Sequence, residues 1–259
     1  MQRRILIIDD LDDLATALEE VFTALGHSVV LLETRSAALE VPNIEHFDLV
    51  ITDLDVNSPS PEIPNGNGSG VESPQHIKAF KVSAANFARS EFDDAELKEL
   101  VATLLDYKIR YVDAKESVQE LHESIEFELP SAISLMHIIL DYLMKRVEKL
   151  GVVKAEQSNL FVALDEAFVN AVKHGNKFDV KKLVRISAEV SKLEARFTIE
   201  DEGDGFDVSS IPDPLDPANL FKTTGRGVLF IYNIMDEVKY NERGNRLTMI
   251  KRCDPEPTS

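Results

Sequence analysis

Two runs, RILIIDD at 4–10 and FDLVITDLD at 47–55, are apolar without alternation and end in acids. A strand with no polar face has to be covered on both sides, which confines it to the interior of a sheet layered between helices. Between the two runs lie LDDLATALEEVFTALG (11–26), with the apolar spacing of a helix closed by Gly26, and HSVVLLET (27–34), a further strand. Strands alternating with helices predict an α/β fold with a parallel sheet wound on both faces and a ligand site at the carboxyl ends of the strands. Asp9, Asp10 and Asp53 fall at that edge.

Further along, SPSPEIPNGNGSGVESP (58–74) has almost nothing to bury and predicts a mobile loop. Residues 92–124 read as one helix or two, with Asp93 or Asp94 as N-cap, and as a connector between two domains. A strand, SIEFELP, and a long amphipathic helix ended by Gly151 follow, so a second domain is expected to start near residue 124. Within it we expect a helix over 156–174, strands LVRISAEVSK and LEARFTIEDEG, a Pro-rich passage, a helix over VLFIYNIMDEV and a closing strand NRLTMIKR.

The chain of 259 residues carries a formal charge of -18, unevenly spread: residues 1–123 hold 10 basic against 24 acidic side chains, and residues 124–259 hold 18 against 22. Such a surface repels phosphate backbones and anionic lipid, which argues against nucleic acid or a membrane as partner and for proteins or small ligands. No apolar run approaches the roughly 20 residues of a membrane span, and MQRRILIIDD lacks the apolar stretch of a signal peptide. With one cysteine, Cys253, and hence no internal disulfide, a reducing, cytoplasmic location is expected.

DEAFVNAVKHGN (165–176) places Glu166, Asn170 and His174 at i, i+4 and i+8, a polar stripe on one helix face, with Lys173 beside it. Such a stripe faces either solvent or a ligand. Asp201, Gly203 and Gly205 form DxGxG directly after a strand, where glycines admit close approach or positive φ and the carboxylate can accept from an exocyclic amine. KTTGRG (222–227) puts Gly225 and Gly227 at the start of a helix, whose free N–H groups suit phosphate.

In order and spacing these three pieces resemble the N, G1 and G2 boxes of the GHKL (Bergerat) α/β sandwich ATPases. EAFVNAVKHGN, DEGDGFD, DPANLF and GRGVLFIYNIMDEVKY resemble, more narrowly, the bacterial anti-sigma-factor serine kinases, the RsbW/SpoIIAB-like group. The resemblance covers about residues 124–252. It implies that Asn170 holds Mg²⁺ against the phosphates of ATP, that Lys173 contacts phosphate and that Glu166 is the catalytic base. It further implies that Asp201 binds the adenine amino group, helped by Gly203, Gly205 and Thr248, and that Gly225, Arg226 and Gly227 close over the phosphates. His174 and Asn176 are assigned structural roles. No phosphoacceptor histidine motif precedes the ATP boxes, which argues against histidine autophosphorylation.

Residues 3–55 resemble the first half of a response-regulator receiver, implying Mg²⁺ at Asp9, Asp10 and Asp53, a backbone carbonyl from Asp55, and phosphorylation of Asp53. The later half departs from that pattern: Ser90-Glu91 stand where Lys-Pro is expected, or, in a second alignment, Ser83-Ala84 match the fourth-strand hydroxyl and no fifth strand remains. The expected organisation is an abridged, doubly wound receiver-like domain at 1–92, a helical connector at 93–123, the GHKL domain at 124–253 and a tail at 254–259. The expected function is a serine/threonine protein kinase of the anti-sigma type under control of a degenerate receiver, acting on a sigma factor or an antagonist protein. A non-catalytic, ATP-binding partner-switching module, with the receiver as docking or dimerising surface, is the alternative. The two resemblances also admit an upstream histidine kinase and a homodimer.

Overall fold

The computed structural model describes residues 2–9, 12–34, 37–38, 40–42, 44–56, 77–87, 92–115, 122–153, 159–208 and 226–253. Among these residues nine strands form one sheet: β1 (Arg4–Asp9), β2 (Ser28–Leu32), β3 (Leu49–Val56), β4 (Ile77–Ser83), β5 (His122–Pro130), β6 (Leu183–Val190), β7 (Glu194–Asp201), β8 (Glu237–Tyr240) and β9 (Arg246–Arg252), in the order β2-β1-β3-β4-β5-β6-β7-β9-β8. The α-helices among the described residues are α1 (Asp12–Ala24), α2 (Asp94–Tyr107), α3 (Met136–Lys149), α4 (Leu160–Val169) and α5 (Arg226–Ile234).

The unpatterned β1 is buried on both faces: Ile5 and Ile7 enter the large core with Leu18 and Phe22 of α1, and Leu6 and Ile8 meet Ala38 and Phe47 on the other side. β2, β1 and β3 run parallel. The all-parallel expectation stops there, because β4 lies antiparallel to β3. Its side chains alternate, Phe80 and Val82 inward and Lys81 half-exposed to the outside, which suits a strand covered on one face only. The antiparallel direction also pairs Ser83 with Val50 and Phe80 with Asp53, so Ser83 is three residues removed from Asp53 along the strands; its hydroxyl donates to Glu128 (2.9 Å). The alignment of Ser83 as a hydroxyl beside Asp53 is not realised.

From β4 to β9 the helices cover a single face, and the other carries Lys81, Glu126, Glu128, Arg185, Glu200 and Arg246, cross-paired at 2.8–3.0 Å. α2 is capped by Asp93, which accepts the Glu96 N–H, and buries Leu97, Leu100, Val101, Leu104 and Leu105. It packs between α1 and α3. The boundary expected near residue 124 falls inside β5, which pairs with β4 on one edge and β6 on the other, and the large core runs through this position. VLFIYNIMDEV divides: α5 ends at Ile234 and Glu237 and Val238 belong to β8.

At this junction lies a buried set of charges. Lys108, in a π-helical turn after α2, donates to Asp113 (2.7 Å), and Arg146 of α3 reaches Asp113 (3.2 Å) and bonds Glu123 of β5 through Nε (2.8 Å) and Nη2. The Lys149 ammonium donates to the Asp113 carbonyl. Two cations and two carboxylates thus offset one another, and Phe80, Phe127 and Tyr142 close over them with ring centroids 6.1–6.2 Å apart.

Candidate functional site

α4 turns Leu160, Ala163, Leu164, Ala167 and Phe168 into the core, which leaves Glu166 and Asn170 on another face. At Asn170 the helix widens into a π turn, Asn170–Gly175, in which the Asn176 N–H bonds to the Ala171 carbonyl five residues back (2.8 Å). Such turns recur at functional sites. Asn176, 1% exposed, anchors the turn. Its amide donates to Ser131 (2.6 Å) and to the Leu183 carbonyl (2.8 Å), and its oxygen accepts the Glu202 N–H (2.8 Å). Lys177 and Phe178 follow at φ 56° and 59°, a left-handed pair that costs about 1–2 kcal/mol per residue.

Asp201 is the last residue of β7, buried, with Oδ1 accepting the Gly203 N–H (2.8 Å). Burial raises its pKa above the ordinary carboxylate value, against the opposing effect of that bond and of the charges on Arg243 and Lys182. Gly205 sits at φ 76°, and a Cβ there would overlap the Arg243 carbonyl oxygen. At the start of α5, a Cβ on Gly227 would overlap the Glu166 carboxylate; only glycine lets that helix terminus approach the acid.

These elements enclose a cavity of about 510 Å³. Ile199, Leu247, Val228 and Tyr240 give it an apolar wall, while Glu166, Asn170, His174 and Asp201 supply its polar groups and the Asn245 amide at its edge is engaged within the chain. An apolar slot with one carboxylate near a strand end, and an amide with a second carboxylate beside a helix N-terminus, suits a flat ring bearing a hydrogen-bond donor and an attached anion.

Residues 129–251 match the family described as the histidine kinase-like ATPase domain. That part of the chain is similar to the GHKL-type ATPase domains. The serine-protein kinase RsbW of Staphylococcus epidermidis is 28% identical over 142 residues, covering 52% of this chain and 89% of that protein. RsbW of Staphylococcus aureus (strain Newman) is 26% identical over 142 residues with the same shares.

Within that segment, Glu166, Asn170, Asp201, Gly205 and Gly227 share the cavity wall. Gly203 lies behind it, packed so closely on Gly175 that a Cβ would overlap the Gly175 carbonyl. Lys173 is exposed and does not line the cavity. Thr248 is turned away altogether: its hydroxyl meets that of Thr198 (3.3 Å) on the open face of the sheet, and the neighbour that reaches the cavity is Leu247. Strand alternation sends 247 and 248 to opposite faces, so a shift of one residue in placing the motif on β9 exchanges them. Gly225 and the Arg226 side chain lie outside the described residues.

His174, Phe206, Tyr240, Asn245 and Leu247 line the cavity in addition. His174 was visible in the polar stripe, but its wall position depends on the π turn; the others come from segments far apart in sequence. In the first half, Asp9 is 5% exposed and its Cα is in register with Asp53 of the parallel β3. Asp10, the Asp53 and Asp55 side chains, Ser90-Glu91 and the segment 58–74 lie outside the described residues. Among the described residues no three metal-ligating side chains gather, and no helix is long and apolar enough to cross a membrane.

Proposed function

We propose that this protein binds ATP with Mg²⁺ in the cavity between α4, β7 and α5 and uses it to phosphorylate a hydroxyl of a protein partner. The observation that carries the reading is the convergence of Glu166, Asn170, Asp201 and Gly227 on one cavity, in a domain whose relatives include serine-protein kinases. Asp201 accepts from the base, and Asn170 offers an amide oxygen to Mg²⁺, which would neutralise phosphate charge. Glu166 accepts the proton of the attacking hydroxyl. A sigma factor or its antagonist is the partner class that the RsbW likeness supports.

We further propose that residues 1–92, a receiver-like unit, and the connector 93–123 control the ATPase domain at 124–253 through the shared core. Asp53 is the phospho-acceptor candidate, Mg²⁺ is held by Asp9, Asp10 and Asp53, and a histidine kinase is the upstream donor. Incubation with acetyl phosphate, read by intact mass on wild type and Asp53→Asn, tests this; unlabelled wild type refutes the acceptor assignment.

Calorimetry on the full chain should show ATP binding that is lost on chelation of Mg²⁺. Glu166→Gln should keep ATP and lose single-turnover transfer to the captured partner, whereas Asn170→Ala should lose metal-dependent binding. Transfer at the wild-type rate by Glu166→Gln would rule out that base; no transfer by wild type would leave a nucleotide-gated binding module.

A further inference from the structure

The turn between β8 and β9 reaches into the Asp201–Phe206 segment at four points. Asn245 Nδ2 donates to the Asp201 carbonyl (2.7 Å), and the Asp201 N–H donates back to the Asn245 carbonyl (3.0 Å). Arg243 Nη2 donates to the Gly203 carbonyl (2.8 Å), and the Phe206 N–H to the Arg243 carbonyl (3.1 Å). The turn is itself braced: Asn241 Oδ1 accepts the N–H groups of Gly244, Asn245 and Arg246 (2.9, 3.1 and 3.1 Å), and its amide donates to Asn245 Oδ1 (2.9 Å).

Asn245 is 7% exposed, and both ends of its amide are used within the chain. Gly244, at φ 77°, lets the turn come so close that a Cβ would overlap the Phe206 carbonyl oxygen. Phe206 in turn packs edge-on against Tyr240 of β8 (5.2 Å, 78°) on the cavity wall. The segment carrying the base-facing carboxylate is therefore bonded, at both its ends, to a turn some forty residues away in sequence.

We infer that the 241–245 turn is the positioning element for base recognition, with Asn245 fixing Asp201 and Arg243 fixing Gly203 and Phe206, so that the cavity selects a purine bearing a 6-amino donor. The inference rests on the nucleotide reading above. Without the Asn245 side chain the Asp201 carbonyl loses a buried donor and the end of β7 loses one of its two ties to the turn, which loosens the placement of the carboxylate; a hydrogen bond to a displaced acceptor weakens steeply with angle and distance.

The test compares ATP with the purine riboside triphosphate that lacks the 6-amino group, by calorimetry on the full chain, for wild type, Asn245→Ala and Arg243→Met. Wild type should prefer ATP. Asn245→Ala should lower that preference about tenfold and Arg243→Met about threefold, with little change for the amino-free nucleotide. Arg243 is exposed, so its variant keeps the test decisive should Asn245→Ala fail to fold. An equal loss for both nucleotides, or an unchanged preference, would reduce the turn to a structural part and overturn the inference. Absence of any preference in wild type would instead remove the adenine assignment of Asp201, and this inference with it.

Discussion

The cavity beside α4 and the junction beneath α3 are both built at a π turn and both gather charged groups, yet they use them in opposite ways. At the junction Lys108 and Arg146 meet Asp113 and Glu123, each within 3.2 Å of an opposite charge and each no more than 3% exposed. At the cavity, the Asp201 carboxylate accepts one hydrogen bond, from the Gly203 N–H, and Glu166 is seated at the N-terminus of α5 without a cation among the described contacts. Matched buried charges give a closed structural joint. Carboxylates left short of partners around a space of ligand size suit the binding role proposed above for this cavity.

Breaking the joint should have the largest effect. Arg146→Met leaves Asp113 and Glu123 facing each other without their shared cation, and a loss of about 3–5 kcal/mol is expected from severing a buried pair. Chemical denaturation should show it as one cooperative transition, because the core is continuous across β4 and β5. Two separate transitions, with the ATPase domain unaffected, would refute the shared core.

Gly205→Ala comes next. A left-handed non-glycine residue costs about 1–2 kcal/mol, and the added methyl would collide with the Arg243 carbonyl, so thermal melting should fall and nucleotide binding should be lost. Retained ATP affinity would show that the loop is not part of the binding wall.

Asp201→Asn sharpens the contrast further. ATP affinity should drop by about 1–3 kcal/mol, the scale for a lost charge-assisted bond. The apo protein should be no less stable at neutral pH. Because the folded-state pKa of Asp201 is raised, its ionised form opposes folding; that penalty is absent below the ordinary carboxylate pKa and grows as pH rises through the folded value. The stability gap between variant and wild type should therefore close as the medium is acidified through that window. A variant that melts lower than wild type at neutral pH would make Asp201 a structural residue.

The smallest effect is expected at Thr248→Val, on the open face, where ATP affinity should change by less than about 0.5 kcal/mol. Leu247→Ala, one residue away on the cavity wall, should weaken ATP by more. The reverse order would mean that β9 is turned over in the nucleotide-bound protein.

By itself the sequence determined the elements whose pattern is local. The apolar β1 run required cover on both faces, Gly26 and Gly151 close α1 and α3 at positive φ, Asp93 caps α2, and the i, i+4 spacing put Glu166 and Asn170 on one face. Only the tertiary structure decided what depends on which strands are neighbours. No local pattern says that β4 runs against β3, and nothing local brings Asn245 under Asp201 or Arg146 to Glu123. Thr248 and Leu247 differ by one residue in sequence and by a whole sheet face in space, because the side of a strand that meets the helices is set by its pairing with β7, in which Thr198 opposes Thr248.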